Sequence, residues 1–352
     1  MLLILAAASP GAAAPATAHA PCTTATPACV EWLALGKAGQ RAMIYRTYSL
    51  EGRHPRIRRA LIMVHGALRN ADHYFTSATG AAFLAGALGD TLVIAPAFHS
   101  ADGECHDHLA AGEVSWGCGA VSWRSGGAAV GEADLTSFDF MDRLLKRLAD
   151  QRAFPNLKTI IVAGHSAGGQ FVTRYEMANQ VHDSLGVAVD YVVANPSSYA
   201  WPEATRPVPE GDAAPDVARG EWKDEAARAG YAYGPAAPTA PADFDRWPYG
   251  LEDRQGYAAR ASDETLKRQL ASRPTTYLLG QVDTLPLGGF DGSAQAMAQG
   301  PTRRARGEAF VKLIAEHLGA KPRLMIVPEC GHNDRCIFTT DAVLPVLFPP
   351  VR

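Results

Sequence analysis

Short apolar runs without polar alternation recur along the chain, and such runs are typical of strands buried on both faces of a parallel sheet. They lie at Arg59–His65, Thr91–Ala97, Lys158–Ala163, Val187–Ala194, Thr275–Gly280 and Arg323–Val327. The earlier segment Arg41–Leu50 alternates in part and predicts a further strand.

Apolar residues at helical spacing occupy the segments between these runs. The clearest helix is predicted over Glu132–Ala149, where Leu135, Phe138, Met141, Leu144, Leu145 and Leu148 share one face. Further helices are predicted within Asp72–Leu88, over Gln170–Asn179 and Arg303–Leu318, and within Thr339–Leu347. This alternation predicts an α/β fold, with a mostly parallel central sheet and helices on both faces.

One region interrupts the alternation. From Asn195 to about Asp263 the chain is rich in Pro, Gly, Trp and Tyr and lacks long apolar runs. The simplest organisation is one domain over residues 21–352 with an inserted cap at about 195–263.

The first residues resemble a targeting segment. The apolar run Leu2–Ala8 precedes a small-residue stretch that ends in Ala18-His19-Ala20, an A-x-A cleavage pattern, although no Lys or Arg precedes the run. We expect a signal peptide over residues 1–20 and a secreted or periplasmic protein; the alternative is a disordered Ala/Pro tail. No segment is apolar enough over sufficient length to predict a membrane span.

The cysteines fall as three local pairs: Cys22 with Cys29, Cys105 with Cys118, and Cys330 with Cys336. An even number in an exported chain predicts disulfides, although spacing alone does not determine connectivity. Buried free thiols in a cytosolic enzyme are the alternative.

Charge and length narrow the function classes. The 352 residues carry a net charge of −3 and no long Lys/Arg run, so nucleic acid is not an expected partner. The chain is long enough to bury a large core, and its oligomeric state cannot be inferred from sequence.

The strongest chemical signal is Gly164-His165-Ser166-Ala167-Gly168, which fits G-x-S-x-G. It directly follows a predicted strand and precedes a predicted helix, the context in which the serine of this motif is exposed at a sharp turn. The sequence therefore predicts Ser166 as a nucleophile. The alternative is a glycine-rich turn with an incidental serine.

A serine nucleophile needs a base, and the base needs an orienting carboxylate. His332 follows the last predicted strand, and Asp283 directly follows the strand Thr275–Gly280 and its short extension. We predict His332 as the base and Asp283 as the acid. Asp291, Asp334 and Glu252 are less well placed.

An oxyanion hole requires two backbone N–H donors. One is predicted at Ala167, directly after the nucleophile, and the other at Ala67, in the loop after the first buried strand. Gly66 would allow a close approach to substrate, and His65 is expected to support the loop rather than act as a second base.

These residues, in this order, resemble the α/β-hydrolase superfamily over Arg41 to the C-terminus. The sequence His-Gly-x-x-Arg-Asn-Ala-Asp at 65–72 is similar to secreted polyhydroxybutyrate depolymerases and feruloyl-esterase-like hydrolases. The resemblance implies an α/β-hydrolase fold and a secreted serine carboxylic ester hydrolase that forms an acyl-enzyme. It implies a small-molecule or polymeric ester substrate and no cofactor.

Candidate substrate contacts are apolar and aromatic: Leu68, Trp116, Trp123, Tyr199, Trp201 and Trp247, with Tyr249 as a further aromatic. For the aromatic residues, packing within the loops or the insert is the alternative. Cys105, His106, His108 and Cys118 invite a zinc interpretation, but their spacing fits no common zinc pattern, so we predict no metal.

Two other functions remain open at this point. The same triad cleaves amides, so a secreted serine peptidase or amidase is the nearest alternative. A catalytically silent binding protein on the same scaffold is the alternative from another class.

Overall fold

The computed structural model describes residues 20–36, 39–119, 121–209, 231–236 and 240–350. Its strands are β1 (Val30–Leu35), β2 (Gln40–Arg46), β3 (Arg59–Val64), β4 (Thr91–Pro96), β5 (Ala128–Ala129), β6 (Glu132–Thr136), β7 (Thr159–His165), β8 (Ala188–Ala194), β9 (Thr205–Pro209), β10 (Tyr231–Pro235), β11 (Thr275–Gly280) and β12 (Arg323–Val327). Its α-helices are α1 (Ala71–Leu84), α2 (Ser137–Leu148), α3 (Ala167–Ala178), α4 (Asp263–Ser272), α5 (Ala294–Met297), α6 (Arg303–Leu318), α7 (Asp334–Thr339) and α8 (Leu344–Leu347).

Within these described ranges, eight strands form the central sheet in the order β1-β2-β4-β3-β7-β8-β11-β12. From β4 to β12 neighbouring strands are parallel, whereas β2 is antiparallel to both β1 and β4. Gly164 at the end of β7 lies between Val64 of β3 and Val193 of β8. The segment after β7 therefore leaves the sheet at its centre.

Successive residues of the buried strands face two different cores. In β7, Ile160 and Val162 pack with α2, α3 and α6, whereas Ile161 and Ala163 pack with α1, α7 and α8. Burial on both faces explains why the strands appear in the sequence as continuous apolar runs. The predicted α/β fold with helices on both faces is confirmed.

Most predicted elements agree closely with the structure, and two differ. The helix predicted over Glu132–Ala149 is wrong at its start, because residues 132–136 form β6, which pairs with β5. Helix α2 begins at Ser137, where Thr136 and Asp139 form a reciprocal capping box. The helix predicted within Thr339–Leu347 is α8, which covers only Leu344–Leu347; the preceding helix α7 ends at Thr339, and Thr340 is extended.

The insert is described only in part, because residues 210–230 and 237–239 lie outside the described ranges. In the described part, β9 and β10 pair antiparallel, and Tyr233 Oη donates to the carbonyl oxygen of Ala309 in α6 at 2.6 Å. The predicted signal peptide also falls on residues outside the described ranges, except Ala20. Both the cap and the signal peptide therefore stay predictions.

Three disulfides join the six cysteines in the pairs that their spacing indicated. They are Cys22–Cys29, Cys105–Cys118 and Cys330–Cys336. Disulfides indicate an oxidising environment, extracellular or periplasmic. Separately, no helix in the described ranges is long and apolar enough to cross a membrane.

Candidate active site

Ser166 lies at a sharp turn between β7 and α3, with backbone angles of φ 58° and ψ −118°. This region is strained for a residue with a Cβ, and such strain is concentrated at functional sites. A Cβ on Gly164 would clash with the carbonyl oxygen of Gly168, and a Cβ on Gly168 would clash with that of Val64. Only glycine fits at both positions, so the motif is required by packing.

His332 contacts both of its predicted partners. Its Nε2 lies 2.9 Å from Ser166 Oγ, and its Nδ1 lies 2.8 Å from Asp283 Oδ2. In this arrangement Nδ1–H donates to the carboxylate and Nε2 accepts from the serine hydroxyl. The structure thus brings together three residues that are widely separated in sequence, in the geometry of a nucleophile, a base and an orienting acid.

Asp283 is held from its other side by Arg303, a residue that sequence reasoning missed. Arg303 Nη1 lies 3.4 Å from Asp283 Oδ1, and both side chains are almost fully buried. Arg303 Nη2 also donates to the carbonyl oxygens of Leu287 and Gly288, at 2.7 and 3.0 Å. One guanidinium therefore fixes the acid and the loop that follows it.

Of the three other carboxylates weighed from the sequence, two are hydrogen-bonded elsewhere and one is exposed. Asp334 accepts a hydrogen bond from Ser77 Oγ on α1 at 2.6 Å, and Asp291 accepts from the hydroxyl of Tyr249 at 3.0 Å. Glu252 is exposed. Asp283 is the carboxylate that contacts the candidate base.

The two predicted oxyanion donors lie on the elements expected to carry them. Ala167 is the first residue of α3, where N–H groups have no partner within the helix. Ala67 follows Gly66, and a Cβ on Gly66 would lie only 3.8 Å from Ser166 Cβ. The loop after β3 therefore passes directly beside the serine.

His65 supports the loop after β3 through two hydrogen bonds. Its Nδ1 donates to the carbonyl oxygen of Gly66 at 2.9 Å, and its Nε2 accepts from the N–H of Phe98 at 3.0 Å. Burial lowers the pKa of His65 to about 3, so the ring is neutral and both nitrogens keep these roles. The ring is not free to act as a base.

An ion pair holds the same loop from above. Arg69 pairs with both carboxylate oxygens of Asp107, which lies in the loop closed by the Cys105–Cys118 disulfide. Arg69 Nη1 also donates to the carbonyl oxygen of Ala67 at 3.1 Å. Arg69 has a positive φ of 56°, a strained conformation that these contacts must maintain.

Asn195 is a second residue that sequence reasoning missed. Its Oδ1 accepts from the N–H of Gly280 at 2.8 Å, and its Nδ2 donates to the carbonyl oxygen of Gly331 at 3.2 Å. It therefore ties the end of β8 to the end of β11 and to the residue before His332. The local sequence gives one indication of this role, since the asparagine directly follows a buried strand.

His165 adds a neutral ring next to the candidate base. The two ring centroids of His165 and His332 are 4.6 Å apart, and His165 Nδ1 lies 3.0 Å from Tyr74 Oη. Burial lowers the pKa of His165 well below its usual value, with smaller contributions from nearby positive groups. The His165 ring is therefore neutral where it lies against His332.

The aromatic residues predicted as substrate contacts are core residues instead, a correction with one physical reason. Each large ring is buried against other rings or bonded to backbone, so none presents a free face to a substrate. The residues are Trp116 on Phe140, Trp123 on Phe98, Tyr199 and Trp201 on Phe310, and Trp247, whose Nε1 donates to the carbonyl oxygen of Ser125 at 2.9 Å.

Exposed leucines lie on the two loops that flank the triad. Leu68, predicted as a substrate contact, is 80% exposed and follows Ala67; Leu285 and Leu287 are also exposed, on the loop after Asp283. That second loop reaches the site through Gly288, where a Cβ would lie 3.1 Å from His332 Cδ2. An apolar rim therefore borders the serine.

The two cysteines of the zinc interpretation are bonded to each other and are not thiolate ligands. In the part of the chain that the structure describes, no group of three His, Cys, Asp or Glu side chains is arranged to hold a metal ion.

A family model and several solved structures match this chain. The model of the alpha/beta hydrolase family matches residues 61–344. Among solved structures, poly(aspartic acid) hydrolase-1 from Sphingomonas sp. KT-1 is similar, with a TM-score of 0.58 and 22% identity over 91% of this chain and 97% of that chain. The poly(3-hydroxybutyrate) depolymerase LpqC from Bordetella parapertussis has a TM-score of 0.54 and 22% identity over 88% of each chain. At this identity the likeness shows the fold, and no curated protein matches.

Proposed function

The chain belongs to the alpha/beta hydrolase family, and from that membership we propose that it is a serine hydrolase of carboxylic esters acting through an acyl-enzyme. The observation that supports this proposal is the pair of hydrogen bonds made by His332, at 2.9 Å to Ser166 Oγ and 2.8 Å to Asp283 Oδ2. The three disulfides support a location outside the cytoplasm. Export through the predicted signal peptide is part of the proposal.

In the proposed reaction, Ser166 Oγ attacks the ester carbonyl carbon while His332 Nε2 takes the hydroxyl proton. The N–H groups of Ala67 and Ala167 donate to the oxyanion that forms, and Asp283 stabilises the charged imidazole. Collapse of the intermediate expels the alcohol, which takes the proton from His332 and leaves the acyl group on Ser166. A water molecule, deprotonated by His332, then attacks the acyl carbon; the bond to Ser166 Oγ breaks, Oγ takes the proton back from His332, and the acid is released.

The same arrangement of serine, histidine and aspartate cleaves esters and amides. The two similar structures are described as hydrolases of poly(aspartic acid) and of poly(3-hydroxybutyrate), so a polyamide and a polyester both belong in the assay. The exposed Leu68, Leu285 and Leu287 favour a substrate with an apolar portion near the serine, such as an ester with an aliphatic chain.

The test compares a p-nitrophenyl ester with the matched anilide, together with labelling by a fluorophosphonate. We expect faster ester turnover, labelling of the wild type, and a loss on the order of 10⁴-fold or more in kcat for Ser166→Ala. Ser184→Ala, at an exposed serine in the short helix that precedes β8, is the matched control and should behave as wild type. Faster anilide turnover would favour an amidase, and equal labelling of Ser166→Ala would favour a silent binding protein.

A further inference from the structure

Arg124 is half-buried, and its guanidinium makes one hydrogen bond among the described residues. It lies in the 3-10 helix Trp123–Ser125, and its Nε donates to Ser122 Oγ at 3.1 Å. Among the described residues, its terminal nitrogens Nη1 and Nη2 have no hydrogen-bond or ion-pair partner. By contrast, Arg206, Arg303 and Arg306 each donate from a terminal nitrogen to a backbone carbonyl oxygen. The hydrogen bond from Nε orients the guanidinium of Arg124, and among the described residues Nη1 and Nη2 have no partner.

The position of Arg124 is beside the candidate active site. Its neighbour Trp123 packs on His65 with ring centroids 4.7 Å apart, and His65 carries the loop of Ala67. Arg69 on that loop and Asp291 on the loop after Asp283 both lie within electrostatic range of its guanidinium. Arg124 therefore lies within electrostatic range of both loops that flank Ser166.

Arginines outnumber the carboxylates within electrostatic range of Arg124. Arg69, Arg174 and Asp291 lie within that range, and Asp107 pairs with Arg69. Asp291 is hydrogen-bonded by Tyr249 and Ser293. The whole chain has a net charge of −3, so the excess is local and would attract an anion to the site.

Arg174 on α3 contributes to this local excess of positive charge. It is fully buried on α3, and its bonds go to the carbonyl oxygen of Pro248 and to Ser198 Oγ, at 3.1 and 3.2 Å, rather than to a carboxylate. Burial lowers its pKa to about 10, which still leaves it charged at neutral pH. Keeping two arginines without a carboxylate partner in one place costs stability, as expected for a ligand site rather than a structural one.

We propose that Arg124 forms a carboxylate-binding subsite next to Ser166, so that preferred substrates are esters that carry a carboxylate near the scissile bond. The free fork suits two parallel hydrogen bonds to the two oxygens of one carboxylate. The exposed leucines contact the apolar part of such a substrate. This inference rests on the proposed ester hydrolysis and names its substrate class.

The test uses pairs of soluble esters that differ by one charge. One pair places the charge in the acyl part, p-nitrophenyl monoadipate and its methyl ester; the other places it in the alcohol, 4-carboxyphenyl butyrate and its methyl ester. For at least one pair, we expect the charged member to have the higher kcat/KM at low salt, by about tenfold or more. Arg124→Gln should remove that preference through KM, leave the neutral ester within about twofold, and be partly rescued by Arg124→Lys.

The control is Arg152→Gln, at an arginine whose side chain is 93% exposed and which lies away from the site. It should leave all four rates unchanged. Equal turnover of charged and neutral esters, or a preference that survives Arg124→Gln, would overturn the subsite.

A failure of the proposed ester hydrolysis gives a different result from a failure of the carboxylate subsite. If no ester is hydrolysed, the ester hydrolase proposal is wrong, and the subsite is then judged by binding in the Ser166→Ala background. Adipate should raise the melting temperature of Ser166→Ala and not that of Ser166→Ala/Arg124→Gln. An equal shift in both proteins would rule out Arg124 as the carboxylate ligand.

Discussion

Arg303 and Asp283 form an ion pair that is closed off from solvent, with 3.4 Å between Nη1 and Oδ1 and side chains exposed by 0% and 1%. The other oxygen of the same carboxylate accepts from His332. The orientation of the base therefore depends on a guanidinium that does not touch the base itself. Arg303 is a positioning residue in this arrangement.

Replacing Arg303 by methionine should lower both stability and turnover. Removing one partner of a buried pair leaves the other charge uncompensated, which costs about 3–5 kcal/mol in the free energy of unfolding. We expect kcat on a p-nitrophenyl ester to fall about tenfold or more with a small change in KM, and Arg303→Lys to restore part of kcat. Urea unfolding and steady-state kinetics measure the two effects.

The matched control is Arg206→Met, because Arg206 pairs with Asp245 at 2.9 Å and its side chain is only 2% exposed. This variant should lose stability without a loss of kcat at temperatures where it is folded. If Arg303→Met also retains wild-type kcat while folded, Arg303 stabilises the fold but does not position Asp283.

Gly288 brings the loop after Asp283 against the imidazole of His332. Its φ is 57°, and an added Cβ would lie 3.1 Å from His332 Cδ2. Gly288→Ala should therefore strain the backbone and displace the ring, lowering kcat by about tenfold. Gly319→Ala, with a φ of 65° and open space around the added Cβ, isolates the backbone strain. Equal kcat for the two variants would mean that the contact with His332 has no catalytic effect.

The Cys330–Cys336 disulfide brackets the candidate base, whereas Cys22–Cys29 lies near the N-terminus. Their sequence separations are 6 and 7, so chain-entropy arguments give each a similar stabilisation of about 2 kcal/mol. Replacing either pair by serines should lower the melting temperature to a similar extent. Only Cys330→Ser/Cys336→Ser should also lower kcat, because only that loop carries His332. A similar fall in kcat in both double variants would contradict this role.

Sequence was sufficient for the buried strands of the sheet and for the grouping of Ser166, Asp283 and His332, because both depend on simple regularities; the edge strand β1 was not predicted. Buried strands are continuous apolar runs, and the carboxyl ends of parallel strands meet at one edge, so Ser166, Asp283 and His332 had to lie close together. Arg303 and Asn195 could not be found in this way. Each acts through contacts with segments far away in sequence, and neither lies in a local motif.

For the aromatic side chains, sequence analysis predicted contacts with substrate that the structure does not support. Trp201 and Trp247 lie in the insert that sequence analysis favoured as a cap, and a tryptophan there fits a substrate contact as well as a packing contact. The structure buries both, because large rings contribute most when they are removed from water. The composition of a segment does not specify which neighbour covers it.

His65 gives the loop of Ala67 a predictable sensitivity to acid. Its pKa is about 3 in the folded protein, against an ordinary value near 6.5, so the unfolded chain binds a proton that the folded chain does not between these values. The stability it contributes is complete above pH 6.5 and is lost as the pH falls towards 3, at about 1.4 kcal/mol per pH unit. His65→Gln can keep both hydrogen bonds, to Gly66 and Phe98, without titrating. Urea unfolding between pH 4 and pH 7 should therefore show a shallower slope for His65→Gln than for wild type, and parallel behaviour of the two proteins above pH 7.5. An unchanged slope in the acidic range would mean that the buried ring takes up its proton without a cost to folding.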